Sequence, residues 1–305
     1  MSYSKFFSNL LILLVAWFAI DRLGANLMGA AHEQTTYSKA RKIREIMSCV
    51  DADIVLLGTS RCQYHYVPSI LSDSLHMSVY NAGIDASNNI YSQFAALSCI
   101  LRYHTPKIVC LDTGESEFGA GDAHDYDPLN VFAPYYGLCS TLDSLFRRSG
   151  QAPLYSLSHL YRYHTKAELT LGGLMLRADT LEEQGFYPLY KPATPPEPVA
   201  APVLAVDSLK LDCFRRFIAL CREHEILLIL AISPSLTQLP PDFYAPIREV
   251  AVSYNVPLFD YDTSNLFADQ PELFCDATHL TGDGARRFTS LFAHNLKNIY
   301  GRNKH

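Results

Sequence analysis

The chain predicts an α/β protein built on a five-stranded parallel sheet and preceded by a hydrophobic N-terminal helix. Three observations predict it. From Asp53 onward, short apolar runs alternate with segments of helical spacing, and strands that alternate with helices form parallel sheets covered on both faces. The first of those runs, Ile54-Val55-Leu56-Leu57, is apolar at every position, as a strand buried on both sides is. Residues 10–20 form an unbroken apolar stretch near the start, after Lys5 and before Asp21-Arg22.

That stretch is shorter than the roughly 20 residues a bilayer span needs and suits a signal-peptide core. It reaches the length of a signal anchor if Phe6-Phe7 and residues 23–31 enter the membrane or its interface. Gly29-Ala30-Ala31 offers small residues for cleavage. Residues 1–31 are therefore read as a signal anchor or signal peptide, and a buried N-terminal helix stays open as a third reading. The anchor reading places the protein at the cell membrane with residues 35–305 outside the cytoplasm; cleavage would make it secreted or periplasmic. Lys5 sets the orientation against Arg22, Lys39 and Arg41 on the other side.

The remaining elements follow in order. Residues 54–57 are a strand ending at Gly58. Pro68 suits the first turn of a helix over 68–75. Residues 77–80 form a second strand, ending at Asn81-Ala82-Gly83. Ile90, Phe94, Leu97 and Leu101 give helical spacing to residues 88–103. A third strand over 107–111 runs into Asp112-Thr113-Gly114. A helix over about 209–224 leads to a fourth strand at 226–232, a fifth lies at 256–259, and residues 282–300 close the chain as a helix. Residues 119–206 break the alternation and end in a proline-rich run, Lys191 to Pro198, which should be extended. They read as an insertion that either shapes access to the site or covers the sheet.

Composition narrows the function. Apolar residues make up 49% and charged residues 18% of the chain, so it folds as a globule rather than staying disordered. A net charge of −6 without a basic cluster argues against nucleic acid. The 8 cysteines follow no zinc or disulfide framework. Cys62 and Cys275 would approach each other if the segments around Ser60 and Asp276 meet, either as a bridge or as two free thiols.

The chemistry lies in two distant segments, Gly58-Thr59-Ser60-Arg61 and Cys275-Asp276-Ala277-Thr278-His279. A serine hydroxyl becomes a nucleophile when an imidazole takes its proton and a carboxylate orients that imidazole. Ser60 follows a buried strand, where a turn presents its oxygen at the carboxyl edge of the sheet, the edge at which such folds bind ligands. Asp276 and His279, three apart, can aim at one region. A lone serine there would be a helix cap, and Asp276 or Thr278 could cap the last helix. One acid and one histidine leave a metal shell unfilled, so neither a metal nor another cofactor is expected. Arg61 binds a polar substrate group or pairs with Glu115 or Glu117. Tyr64, His65 and Tyr66 offer a sugar-stacking surface or an ordinary interface.

With these residues in place the chain resembles the SGNH (GDSL-type) hydrolases, in particular the membrane-anchored bacterial branch acting on acyl groups at the cell surface, which often carries Gly-Thr-Ser, as at Gly58-Thr59-Ser60. The resemblance covers most of residues 53–296 outside the insertion. It implies a three-layer α/β/α sandwich of flavodoxin-like type with Ser60 as nucleophile and Asp276 and His279 as its relay. It also implies an oxyanion hole from the amides of Ser60 and Gly83. The family's third block, Gly-x-Asn-Asp, reads Gly114-Glu115-Ser116-Glu117 here, so Ser116 stands where an asparagine amide donates; Asn88 or Asn89 is the alternative donor. The implied activity is that of a serine esterase or O-acyltransferase on O-acetyl groups of a carbohydrate or cell-envelope polymer. The rival expectation is a catalytically degenerate member that binds a glycan or a protein partner.

Overall fold

The computed structural model describes residues 3–35, 38–87, 89–114, 117–120, 125–165, 183–192, 194, 196–200, 205–237, 239–240, 242–264 and 266–302. The chain divides into two compact units, Met1–Arg44 with Leu129–Asp179, and Glu45–Pro128 with Thr180–His305. The expected insertion is thus split. Its middle packs with the N-terminal helix, and both flanks belong to the sheet unit.

In the first unit, helix α1 (Tyr3–Gln34) runs for 32 residues, straight through Gly29-Ala30-Ala31. Every side chain from Tyr3 to Ile20 is exposed, and the helix is long and apolar enough to cross a bilayer. From Asp21 onward one face is packed. The Asp21 carboxylate accepts hydrogen bonds from the amides of His159 (2.9 Å) and Leu160 (3.2 Å) and from the Ser158 hydroxyl. It thereby caps the short 3-10 helix Leu160–Tyr163, whose first amides have no intrahelical acceptor. Gly24 lies so close to Leu160 that a Cβ there would stand 3.0 Å from its methyl. The second helix, α2 (Ser38–Ser48), follows.

The second unit holds five parallel strands: β1 (Ile54–Leu57), β2 (Val79–Asn81), β3 (Ile108–Asp112), β4 (Leu227–Ile232) and β5 (Leu258–Asp260), ordered β2-β1-β3-β4-β5. This is the flavodoxin-like order, whose ligand crevice opens at the β1/β3 switch point. Ile54 registers with Ile108, and Ile108 with Leu227. Side chains alternate across a strand. Ile54, Leu56, Ile108, Cys110 and Ile229 therefore share one core with Phe288, Phe292 and Leu296 of the closing helix. On that face helices α3 (Ser60–His65) and α4 (Pro68–Leu75) pack against the closing helix, Gly282–Arg302. Val55, Leu57, Val109 and Leu111, all buried, point the other way, toward α5 (Ile90–Ile100) and the helix Ser208–Glu223, which pack on each other.

In chain order α6 (Ser140–Arg148) and α7 (Ala152–Leu157) lie in the first unit, and α8 is Ser208–Glu223, α9 Ala245–Ser253 and α10 Gly282–Arg302. Helices α2, α3, α6, α7 and α9 have no range in the sequence reading. Helix α3 stands where a tight turn was expected, because six residues carry too little periodicity to be seen. Helix α9 starts on Pro246 in its first turn, a usable signal.

Candidate active site

Two close backbone approaches place Ser60. Gly58 ends β1 with φ +153°, and a Cβ on it would lie 2.6 Å from the Cys62 Cβ and 2.9 Å from the Asp112 carbonyl oxygen. Gly83, after β2, would bring a Cβ within 2.5 Å of the Gln63 nitrogen. Two glycines therefore clamp the first turn of α3, whose first residue is Ser60. Asn81 holds the other end: its amide donates to the carbonyls of Cys62 (2.8 Å) and Tyr66 (2.9 Å).

The late segment folds around Asp276. Its Oδ1 accepts from the amides of Thr278 (2.8 Å) and His279 (2.9 Å) and from the Thr278 hydroxyl (3.1 Å). The carboxylate thus shapes the loop that carries the imidazole. His279 Nδ1 donates to Asp276 Oδ2 at 2.8 Å, and Nε2 lies 2.8 Å from Ser60 Oγ. With its Nδ1 proton committed to the carboxylate, Nε2 is left as the acceptor for the serine proton. Partial burial pushes the Asp276 pKa up, but the bonds from His279 and Thr278 outweigh burial and hold it well below the usual carboxylate range. Asp276 is then ionised wherever the imidazole has to act. Ser60 and His279, 219 positions apart, meet with Asp276 in one hydrogen-bonded chain.

Behind this relay lies a buried polar assembly. His65 has no exposed surface. Its Nε2 accepts the Leu280 amide at 3.0 Å and its Nδ1 donates to Ser233 Oγ at 3.0 Å. Burial first, and the Arg61 charge second, drive its pKa well below 6.5, so the ring is neutral and fixed in one tautomer. It ties α3 to the residue next to His279. Ser233 donates to Asp112 Oδ2 (3.0 Å), and Tyr66 donates to Asp112 Oδ1 (2.7 Å).

The other expected site residues are placed as follows. Arg61 is buried and its Nε donates to Ser233 Oγ at 3.1 Å. Its charge acts on the buried Asp112 and Glu117 carboxyls, whose pKa values burial pushes up. The expected sugar-stacking trio is divided as well: His65 and Tyr66 are interior, and only Tyr64 is partly exposed, its ring edge-on to His279 with centroids 5.5 Å apart. The Gly83 amide donates to Asn81 Oδ1 at 3.0 Å, so this hydrogen is already engaged. Asn89 donates one of its two amide hydrogens to the Asp125 carbonyl at 2.5 Å. Asn88 and Ser116 lie outside the described residues. Ser60 opens α3, where first-turn amides have no intrahelical acceptor. No disulfide bridge joins Cys62 and Cys275; the Cys62 thiol points to Asn81 Oδ1. Sequence reasoning missed the structural part played by His65, Ser233, Asp112 and Asn81, since nothing local marks a polar residue that will be buried.

A cavity of about 670 Å³ opens at the carboxyl ends of β4 and β5, lined by Ser235, Leu236, Thr237, Phe243 and Asp262 among others. Leu236 joins it to the catalytic loop, its amide donating to the Ala277 carbonyl at 2.8 Å. Among the described residues no cluster of side chains could hold a metal ion.

Neither a family model nor a curated protein sequence matches the chain. Several solved structures are similar in outline. A candidate lipolytic protein of the G-D-S-L family from Desulfitobacterium hafniense aligns at 12% identity and TM-score 0.37, over 79% of this chain and 97% of that one. A candidate acylhydrolase from Bacteroides fragilis aligns at 10% identity and TM-score 0.41, over 84% and 96%. A gut microbial diltiazem-metabolizing enzyme aligns at 12% and TM-score 0.39, over 78% of this chain and 45% of its own length. At TM-scores this low, the fold and the site stand on the chain's own sheet order and side-chain geometry.

Proposed function

We propose that this chain is a serine esterase or O-acyltransferase of the SGNH (GDSL) type, held at the membrane by α1 and acting on O-acyl groups of a carbohydrate or envelope polymer. One observation carries the reading: the unbroken relay Ser60 Oγ–His279 Nε2–Nδ1–Asp276, with both links at 2.8 Å. His279 takes the Ser60 proton as Oγ bonds to the ester carbonyl carbon. The tetrahedral oxyanion forms against the Ser60 amide. Its collapse breaks the bond to the alkoxide, which leaves with the proton from His279 and a Ser60 ester behind. Water or a sugar hydroxyl then gives a proton to His279 and attacks that ester, which restores the serine. The cavity beside Leu236 offers room for the alcohol portion of such a substrate.

The anchor, rather than a cleaved leader, is supported by the helical continuity through Gly29-Ala30-Ala31 and by the capping bonds of Asp21, which cleavage at residues 29–31 would remove. One observation favours the rival reading of a binding module: the engaged Gly83 amide leaves the oxyanion short of a donor, and one such donor is commonly worth about 100- to 1,000-fold in rate. A fluorophosphonate probe separates the two. The enzyme reading expects labelling of the wild type and none of Ser60→Ala, together with acetate release from an acetylated polysaccharide. A folded wild type that takes up no label would leave the binding module as the better account.

A further inference from the structure

The exposed apolar surface of α1 does not stop at Ile20. One stripe continues through Leu23 and Leu27, the latter 73% exposed, although the opposite face of the same turns is packed. On the packed side, Leu154 and Leu157 of α7 and Tyr161 are exposed as well, with Leu157 at 61%. Their height along the helix is set by the bonds of the Asp21 carboxylate to Ser158, His159 and Leu160, which immediately follow Leu157. A shallow cavity of about 360 Å³ at the same level is lined by Met28, Leu160, Tyr161, Tyr163 and His164 with Ser158. These features lie within one compact unit.

At about 1.5 Å per residue, Phe6 to Ile20, the stretch between Lys5 and Asp21, covers about 22 Å of the roughly 30 Å hydrocarbon thickness, a short span that draws its flanking residues toward the boundary. Asp21 then falls at the membrane boundary, and Leu154, Leu157 and Tyr161 fall in the interfacial layer, where tyrosine is enriched. Isolated exposed leucines are ordinary, but several of them grouped on both sides of the exit of a membrane helix mark an interaction surface.

We infer that Leu154, Leu157 and Tyr161, together with Leu23 and Leu27, form an apolar collar that sinks into the outer interfacial layer of the bilayer around the exit of α1. The collar rests on the anchor reading above. Its occupant is the lipid surface, because it is continuous with the span and is held at span height by the Asp21 cap. The anchor is thereby joined to a foot, and the protein is denied free rotation about a flexible stalk.

Trp17 is the single tryptophan, and that allows a direct test with the full-length protein in phosphatidylcholine vesicles brominated at chosen depths. Trp17 lies about 6 Å below Asp21 along the helix and should lose emission to acyl-chain bromine. In the Trp17→Phe background, Leu157→Trp and, separately, Leu154→Trp should emit to the blue and lose emission most to bromine nearest the headgroups. Quenching at 157 or 154 that is strongest with bromine nearest the headgroups supports the collar. Quenching of Trp17 with none at 154 and 157 overturns the collar and leaves the anchor standing. Equal quenching of 154 and 157 by bromine at every depth overturns it as unspecific immersion. An unquenched Trp17 removes the anchor itself, and the collar with it.

Discussion

Asp276→Asn separates the chemistry of the relay from the shape of its loop. Asp276 uses Oδ1 for the amides of Thr278 and His279 and the Thr278 hydroxyl, and Oδ2 for the imidazole at 2.8 Å. An asparagine that keeps its oxygen at Oδ1 retains all three loop bonds. Its NH₂ then occupies the Oδ2 position and can only donate, so Nδ1 must become the bare nitrogen and the proton moves to Nε2. That tautomer cannot accept from Ser60. In enzymes with this relay the same exchange lowers kcat about 10⁴-fold, equal to about 5 kcal/mol of transition-state stabilisation. We expect a loss of about 10³- to 10⁴-fold in kcat/KM on a nitrophenyl acetate substrate, with a melting temperature modestly below wild type near neutral pH. In acid the two should converge. The depressed Asp276 pKa contributes stability that is present above the unfolded pKa near 3.9 and lost as pH falls through the folded value, and the neutral amide lacks that dependence. Activity within about tenfold of wild type in a folded Asp276→Asn variant would refute the assignment of Asp276 as the carboxylate that orients the base.

Further outcomes follow from the same geometry. His65, neutral and buried, favours the unprotonated fold, so its contribution is complete above pH 6.5 and declines as pH falls below it; His32, lowered to about 4 by burial and Arg44, acts in the same direction, whereas the raised pKa values of Asp112 and Glu117 act oppositely. Urea melts of wild type and His65→Gln between pH 7 and 5 should therefore differ in slope by up to about 1.4 kcal/mol per pH unit, and parallel curves would contradict a neutral His65. Gly83→Ala places a Cβ 2.5 Å from the Gln63 nitrogen, which should destabilise the fold by about 1–3 kcal/mol and displace Ser60; normal activity and melting would refute the clamp. Because no disulfide joins Cys62 and Cys275, dithiothreitol should leave melting temperature and labelling unchanged, and a fall in either would reveal a bridge.

The sequence by itself determined the strands, their order of appearance and the three residues of the relay. Apolar runs such as Ile54-Val55-Leu56-Leu57 can only be buried strands, and the strand-helix alternation brings their carboxyl ends to one edge. Strand boundaries moved slightly, β5 from 256–259 to Leu258–Asp260, because pairing with β4, and not hydropathy, decides where a ladder starts. Only the tertiary structure decided which polar residues face inward. Arg61, His65 and Tyr66 sit within six positions of Ser60, yet they serve Ser233, Leu280 and Asp112, residues 46 to 215 positions away from their partners. Nor does local sequence reveal that the Gly83 amide is spent on Asn81, or that Asp21 caps a helix 138 positions later. Hydropathy records a preference of each side chain for water or oil, whereas the direction of a hydrogen bond depends on where a distant segment brings its donor, and that is fixed by packing alone.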